Sequence, residues 1–408
     1  MERYFDVAIV GAGPSGLTAA ITVKLAKPKA KVIVLEKKDV PAKKLSASGN
    51  GRGNLSNKRC EDLEQVLSFF SESGIAVRTD EEGRIYPYSE EAASVSEALV
   101  RRAAGLGVEL FINSEVKGVE ADSKSGFRIF VCDNETLSNY QIEAEKVLIA
   151  TGGKSFAVYG SSGDGYNFAK KLGHSVTPLV PALTGIETEE DISKLKGVRV
   201  KAAVSFFEKE KLVFREEGEV QFREDSLSGI CIMNMSSRMP VGRFGAEKNI
   251  FDNCIISIDF VPDYEYRELL EFLTVKGRMA QITAVDFLTT LVKKPLAAEL
   301  LKRAGIESEC SVCGLNEAWI KRLAKELKDF RLKPCGRKGW KEAQVTKGGV
   351  SLSEICSCTM ESLIVHGLYF AGEVLDYDGP CGGYNLNNAW VTGIKAGRAM
   401  AEEGNNDV

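Results

Sequence analysis

Histidine is nearly missing from this chain: its 408 residues include only His174 and His366. That argues against histidine-built metal sites and against a histidine-centred catalytic triad. A dominant charge is also missing. Lys and Arg number 53 against 57 Asp and Glu, a net charge of −4, so nothing electrostatic points to a nucleic-acid or membrane-surface partner. No apolar run comes near the roughly 18 residues that a bilayer span requires. The first twenty residues carry Glu2, Arg3 and Asp6 and then a Gly/Pro turn, unlike a secretory leader. The 10 cysteines are scattered, which suits reduced thiols in the cytoplasm. Cys310 and Cys313 form a CxxC pair, but no second pair at zinc-ribbon spacing accompanies it, and no metal is expected. Cys356 and Cys358 are read in the same way, as free thiols.

Glycine, by contrast, is plentiful, with 39 residues against a usual share of roughly 7%. Hydrophobic residues make up 44% of the chain, enough for a substantial core. At about 100–200 residues per domain, the length predicts two or three domains.

The first strand signal is the apolar run 5–10, FDVAIV, which ends at Gly11. A helical stretch and a second apolar run, 31–37, complete a βαβ unit. Between strand and helix lies Gly11-Ala12-Gly13-Pro14-Ser15-Gly16, and Glu36 follows Gly16 by twenty residues at the end of the second strand. This is a dinucleotide-binding pattern in its full context. Gly11 permits a tight turn, Gly13 lets backbone approach a pyrophosphate, and Gly16 allows close helix–strand packing. The helix start offers unpaired N–H groups to phosphate, and Glu36 can accept hydrogen bonds from a ribose diol.

Farther on, 146–153 reads as a third buried strand running into Gly152 and Gly153. Residues 183–263 look β-rich, and 264–333 turn helical, with apolar side chains every three to four residues. After Pro334 the glycine-rich texture returns. Strand 368–371 ends in Gly372 and Glu373, followed by Asp376, Gly379, Gly382, Gly383, Tyr384, Asn385 and an amphipathic helix from about 386 to 402. The resulting fold class is α/β. A discontinuous Rossmann-like domain spans 1–182 and 334–408, with a β-rich insert at 183–263 and a helical insert at 264–333.

These motifs resemble the two-dinucleotide-binding-domain flavoproteins, through GAGPSG with Glu36, the Ala150-Thr151-Gly152-Gly153 strand end, and the GLYFAGE segment. Longer stretches narrow the resemblance. Ser48 to Asn57 (SGNGRGNLSN), Thr346-Lys347-Gly348-Gly349-Val350 and GEVLDYDGPCGGYN are similar to a bacterial family that includes aminoacetone oxidase and a bile-acid 3-oxo-4,6-diene reductase. The likeness spans essentially the whole chain. Two departures stand out: Gly53 where the family commonly has cysteine, and Ile230 after Ser228-Gly229 where it often has proline. The resemblance implies FAD as cofactor. It places Gly11, Gly13, Pro14, Ser15, Gly16, Glu36, Lys37, Lys44, Gly51, Arg52, Asn54, Val116, Thr151, Gly152, Gly153, Gly349, Gly372, Glu373, Asp376, Gly383, Tyr384 and Asn385 around it.

Residues 39–57 contain no cysteine, which excludes the disulfide relay of flavin disulfide reductases. No second GxGxxG unit for a nicotinamide domain is present. The expected activity is therefore NAD(P)H-driven reduction of an activated C=C in a small organic substrate, with NAD(P)H docking transiently. Two alternatives remain: an oxygen-dependent amine or amino-ketone oxidase, and a flavin-dependent tRNA-modifying or tRNA-binding protein. Tyr384, Arg52 and Thr346 are the candidate catalytic residues. No membrane or nucleic-acid partner is expected.

Overall fold

The computed structural model describes residues 3–122, 126–242 and 250–402. The chain divides into two compact units, Met1–Val180 with Gln344–Val408, and Pro181–Ala343.

The first unit is built on a seven-stranded sheet. Its strands run in the order Glu109–Phe111, Val32–Leu35, Arg3–Val10, Asn139–Ile149, Gly126–Asp133 and Ser114–Asp122, and Leu368–Phe370 also pairs with Asn139–Ile149. The apolar runs behave as their sequence dictates. Val7, Ala8, Ile9, Val32, Ile33 and Val34 are all almost completely buried, as befits parallel strands covered on both faces. Register carries the functional consequence. Val10 lies opposite Leu35 and Ile149, Leu35 opposite Phe111, and Ile149 opposite Phe370, all in parallel pairings. Five strands thus end at one level. In open α/β sheets, ligands bind beyond these carboxyl ends.

Two helices complete that edge. Pro14–Ala26 follows the opening strand and Tyr384–Ala401 closes the unit. Their close packing rests on glycines of the final helix. A Cβ on Gly393 would lie 2.6 Å from the Ser15 carbonyl oxygen, and one on Gly397 would lie 2.6 Å from Thr22 Cβ. Any larger residue would force the helices apart. A small three-stranded sheet, ordered Ser56–Asn57, Arg84–Pro87 and Val77–Thr79, belongs to the same unit.

The second unit holds another seven-stranded sheet, entirely antiparallel. Its order is Phe330–Leu332, Cys254–Asp259, Arg199–Glu208, Lys211–Phe222, Ser226–Ser228, Ile186–Thr188 and Pro334–Arg337. The helical stretch does not stand apart from it. Leu300 and Leu323 of the helices share one buried cluster with Phe206, Phe222 and Phe330 of the sheet. The β-rich and helical inserts therefore form one unit rather than two. Its end also shifts from 333 to 343, because Pro334–Arg337 pairs with Ile186–Thr188. Among the described residues no helix is long and apolar enough to cross a membrane.

Candidate functional site

The first turn is shaped by glycine and braced by one carboxylate. Gly11 has φ of 107°, and a Cβ there would lie 2.5 Å from the Ala150 carbonyl oxygen. A Cβ on Gly16 would lie 2.0 Å from the Gly11 carbonyl oxygen. Both positions exclude a side chain for internal reasons. Gly13 is different: a Cβ there would have nothing within 4 Å. Pro14 is the first residue of the helix, and no side chain caps its start. Ser15 is buried and its hydroxyl reaches the Ala371 carbonyl at 3.4 Å. Glu36 accepts from the Ala12 N–H at 3.0 Å and from the Lys38 N–H at 2.9 Å. It ties the glycine turn to the end of the second strand.

Lys37 and Lys44 are both engaged within the protein. The Lys37 ammonium pairs with Asp164 and Ser162. Lys44 Nζ donates to Glu373 Oε2 at 2.7 Å and to Ser155 Oγ at 2.9 Å. The other Glu373 oxygen accepts from the Thr346 N–H at 2.8 Å and from Ser155 Oγ at 3.0 Å. Glu373 therefore joins the strand end at 372, the segment around Thr346 and the loop carrying Lys44. The Thr346 hydroxyl is fully committed as well. It accepts from the Lys154 and Ser155 N–H groups at 2.7 and 3.2 Å, and it donates to buried Tyr166. Burial pushes the Tyr166 phenol well above its ordinary pKa, and its hydroxyl donates to the Glu373 carbonyl at 3.3 Å. Thr346 thereby bridges the backbone at 154–155 to Tyr166. Val116 is buried in the sheet opposite Val131.

The glycines at the strand ends mark crowded backbone. A Cβ on Gly153 would lie 2.4 Å from Thr346 Oγ1, one on Gly349 would lie 2.5 Å from Leu375, and one on Gly372 would lie 2.6 Å from Ser15 Oγ. Thr151 and Gly152, whose φ is 72°, follow the strand that ends at Ile149. Asp376 donates its N–H to the Val350 carbonyl at 3.0 Å.

The start of the final helix meets the loop 48–57. Asn54, with its amide oriented to satisfy both ends, donates to the Ser56 carbonyl at 3.1 Å and accepts from the Gly383 N–H at 3.3 Å. Asn385 closes its own turn, accepting from the Gly379 N–H at 2.9 Å and donating to the Gly379 carbonyl at 2.8 Å. Tyr384 is the first helical residue, and like the first helix this one begins on a glycine with no side-chain cap. Gly51 lies in open space, and Arg52 turns outward to Glu90.

Several residues with a place here escaped the sequence reading. Asn387 accepts from Ser56 Oγ at 2.7 Å and donates to the Glu61 carbonyl at 3.1 Å. Asn57 donates to the Gly382 carbonyl at 3.1 Å, and Trp390 Nε1 to the Leu55 carbonyl at 2.9 Å. A signal was available: Asn387 and Trp390, three apart, share a helix face with Tyr384. Glu90, Ser155 and Tyr166 carry no such pattern.

This arrangement fits a dinucleotide. It has two uncapped helix starts, an open approach at Gly13, and strand ends aligned at one edge. The comparisons agree. The family model described as HI0933-like protein Rossmann domain matches residues 61–399, and an FAD binding domain matches residues 6–64. The chain belongs to the HI0933-like family. It is 33% identical over 418 residues to 3-dehydro-bile acid delta(4,6)-reductase of Clostridium scindens, covering 97% of this chain and 99% of that protein. It is 30% identical over 413 residues to ribosomal RNA dihydrouridine synthase of Escherichia coli, covering 96% of each. Among solved structures, a FrdA variant of E. coli quinol fumarate reductase superposes with a TM-score of 0.52 at 15% identity, over 100% of this chain and 72% of that one. That last likeness concerns the fold. The HI0933-like chain is an FAD-dependent oxidoreductase.

Proposed function

We propose that this oxidoreductase saturates a C=C conjugated to a carbonyl in a small organic molecule, with NAD(P)H as electron donor. The observation that carries the reading is the pair of uncapped helix starts beside the aligned strand ends. They supply N–H groups and positive dipole ends for an anionic dinucleotide and for charge that develops on reduction. The names of the relatives support the reaction class. One is a delta(4,6)-reductase of a bile acid, and the other makes dihydrouridine, which is uridine with one ring C=C saturated. When bound, FAD supplies hydride transfer, and the protein supplies placement and electrostatics. The N–H groups after Gly13 would hold phosphate, Glu36 and Asp376 would accept from sugar hydroxyls, Asn54 fixes the backbone at Gly383, and Asn385 fixes the turn at Gly379. Tyr384 is the candidate for delivering the proton that accompanies the hydride.

The same reduction on an RNA uridine is a second reading, favoured by the name of the dihydrouridine synthase. The net charge of −4 favours the small substrate, because RNA affinity rests on neutralising phosphates. A cytoplasmic location accords with the free state of every cysteine. Anaerobic titration with NADH and NADPH tests the proposal. The flavin absorbance is expected to bleach and to recover on adding a conjugated enone. Bleaching by amines alone, with peroxide formed in air, would overturn it in favour of an oxidase. Salt-sensitive RNA retention with dihydrouridine as product would establish the second reading. A protein that cannot be reconstituted with FAD would remove the basis for both.

A further inference from the structure

The turn carrying Arg52 has an unusual backbone. Gly49, Asn50, Gly51 and Gly53 have φ of 58°, 56°, 86° and 77°, so four residues in five lie in the left-handed region. Asn50 does so despite its Cβ. The turn has few internal bonds, from the Arg52 N–H to the Gly49 carbonyl at 3.2 Å and from the Gly53 N–H to the Ser48 carbonyl at 3.0 Å. Residues 49–52 are exposed. A segment so placed needs an outside tether to keep one shape.

Arg52 provides that tether. Its Nε donates to Glu90 Oε2 at 3.1 Å, and its Nη2 lies 3.0 Å from Glu90 Oε1, a two-pronged pairing. The guanidinium also lies 4.6 Å from the centre of the Tyr86 ring. Glu90 pairs at the same time with Arg78. Glu90 is itself fixed, with φ of 53° and its N–H bonded to the Pro87 carbonyl at 2.9 Å. The turn packs on the same segment, because a Cβ on Gly53 would lie 3.1 Å from Ala92 and 3.3 Å from Pro87. At its far end, Asn54 bonds to Gly383 at the start of the final helix. The turn is thus held between Glu90 and that helix.

We propose that Glu90 is a positioning residue: through Arg52 it latches the Ser48–Asn54 turn in the shape that the FAD site uses, and FAD affinity depends on the latch. This rests on the FAD reading of the site. Nothing in the reaction requires Glu90 to touch the cofactor. Its part is to remove alternative conformations of the turn before FAD arrives.

Three variants test the latch. Glu90→Gln keeps the size of the side chain and removes its charge. Arg52→Lys keeps the charge and loses the fork. Arg78→Ala removes the second partner of Glu90 without touching the turn. The measurements are FAD dissociation constants of the apoprotein, from flavin fluorescence, and hydrogen exchange at 48–54 without FAD, with thermal unfolding to confirm folding. Glu90→Gln is expected to weaken FAD binding about fivefold, the upper end for an exposed ion pair, and to speed exchange across the turn. Arg52→Lys is expected to follow it in part, and Arg78→Ala to change FAD affinity by less than about twofold. Unchanged affinity and exchange in Glu90→Gln would overturn the proposal. So would equal losses in Arg78→Ala, which would place the effect in the small sheet. A wild type that fails to bind FAD would defeat the cofactor reading, and the exchange measurement would then decide the latch separately.

Discussion

Gly13 stands immediately before the helix Pro14–Ala26, and Gly383 before Tyr384–Ala401. Neither helix start has a side-chain cap, and on paper the two look alike. Their surroundings differ. A Cβ on Gly13 would meet nothing within 4 Å, whereas one on Gly383 would lie 2.3 Å from the Ser56 carbonyl oxygen, at a φ of 100°. Gly383 is glycine because the chain itself approaches. Gly13 is under no such pressure, and the proposed function offers a reason for glycine there in what comes to the turn from outside. The comparison separates residues that build the site from residues that leave it room.

Replacing Gly383 with alanine should give the largest effect. The side chain would occupy a left-handed position and collide with backbone, at a combined cost of roughly 2–4 kcal/mol. Calorimetry of the ligand-free protein should show a clear fall in Tm. A variant as stable as wild type would break the contrast at once.

Gly13→Ala should do the opposite. The ligand-free Tm should stay close to wild type, because no internal contact is disturbed. FAD affinity should fall by at least about tenfold, equivalent to roughly 1.4 kcal/mol. Titration of the apoprotein with FAD checks this. Undiminished binding would mean that the open space at Gly13 is not where the dinucleotide approaches.

The two glycines also show what could be read in advance. The βαβ unit that brings Glu36 to the glycine turn was legible because a strand, a glycine turn and a helix follow one another in sequence. The role of Gly383 depends on Ser56, more than 300 residues away, and no local pattern reports such a pairing. Glu90 is harder still. It sits in a turn without periodicity, 38 residues from Arg52, and only the folded chain brings them together. The resemblance placed Lys37 and Lys44 around FAD, but no local pattern reports what they pair with inside the chain. Their partners, Asp164 and Glu373, come from distant segments. The inserted segments were legible as β-rich and helical from their periods. Their joining into one unit was not, because period reports which face of an element is apolar and not what covers that face.

The smallest expected effect lies away from both helix starts, and it sharpens the comparison by moving stability without touching the site. His174 is 4% exposed and packs edge-on against Phe370, with ring centres 4.9 Å apart. Its Nε2 lies 2.8 Å from Ser362 Oγ, which already accepts from the Ile364 and Val365 N–H groups at 2.9 and 2.8 Å. The hydroxyl proton must therefore point at Nε2, which leaves the ring proton on Nδ1, on the side of the Ala169 carbonyl. Burial lowers the His174 pKa, against weaker opposing pulls from the Glu354 carboxylate and the Ala169 carbonyl. A lowered value means that, below about pH 6.5, the unfolded chain binds a proton that the folded chain refuses. Stability should then decline as the pH falls below about 6.5, by at most about 1.4 kcal/mol per pH unit, and level off once the folded ring titrates. Urea unfolding between about pH 7.5 and 5 measures the slope. His174→Gln should remove this contribution while leaving FAD affinity at pH 7.5 unchanged. The other histidine, His366, is 90% exposed and pairs with Glu361 at 2.9 Å, so a slope that survived in His174→Gln would have to come from groups other than this buried ring.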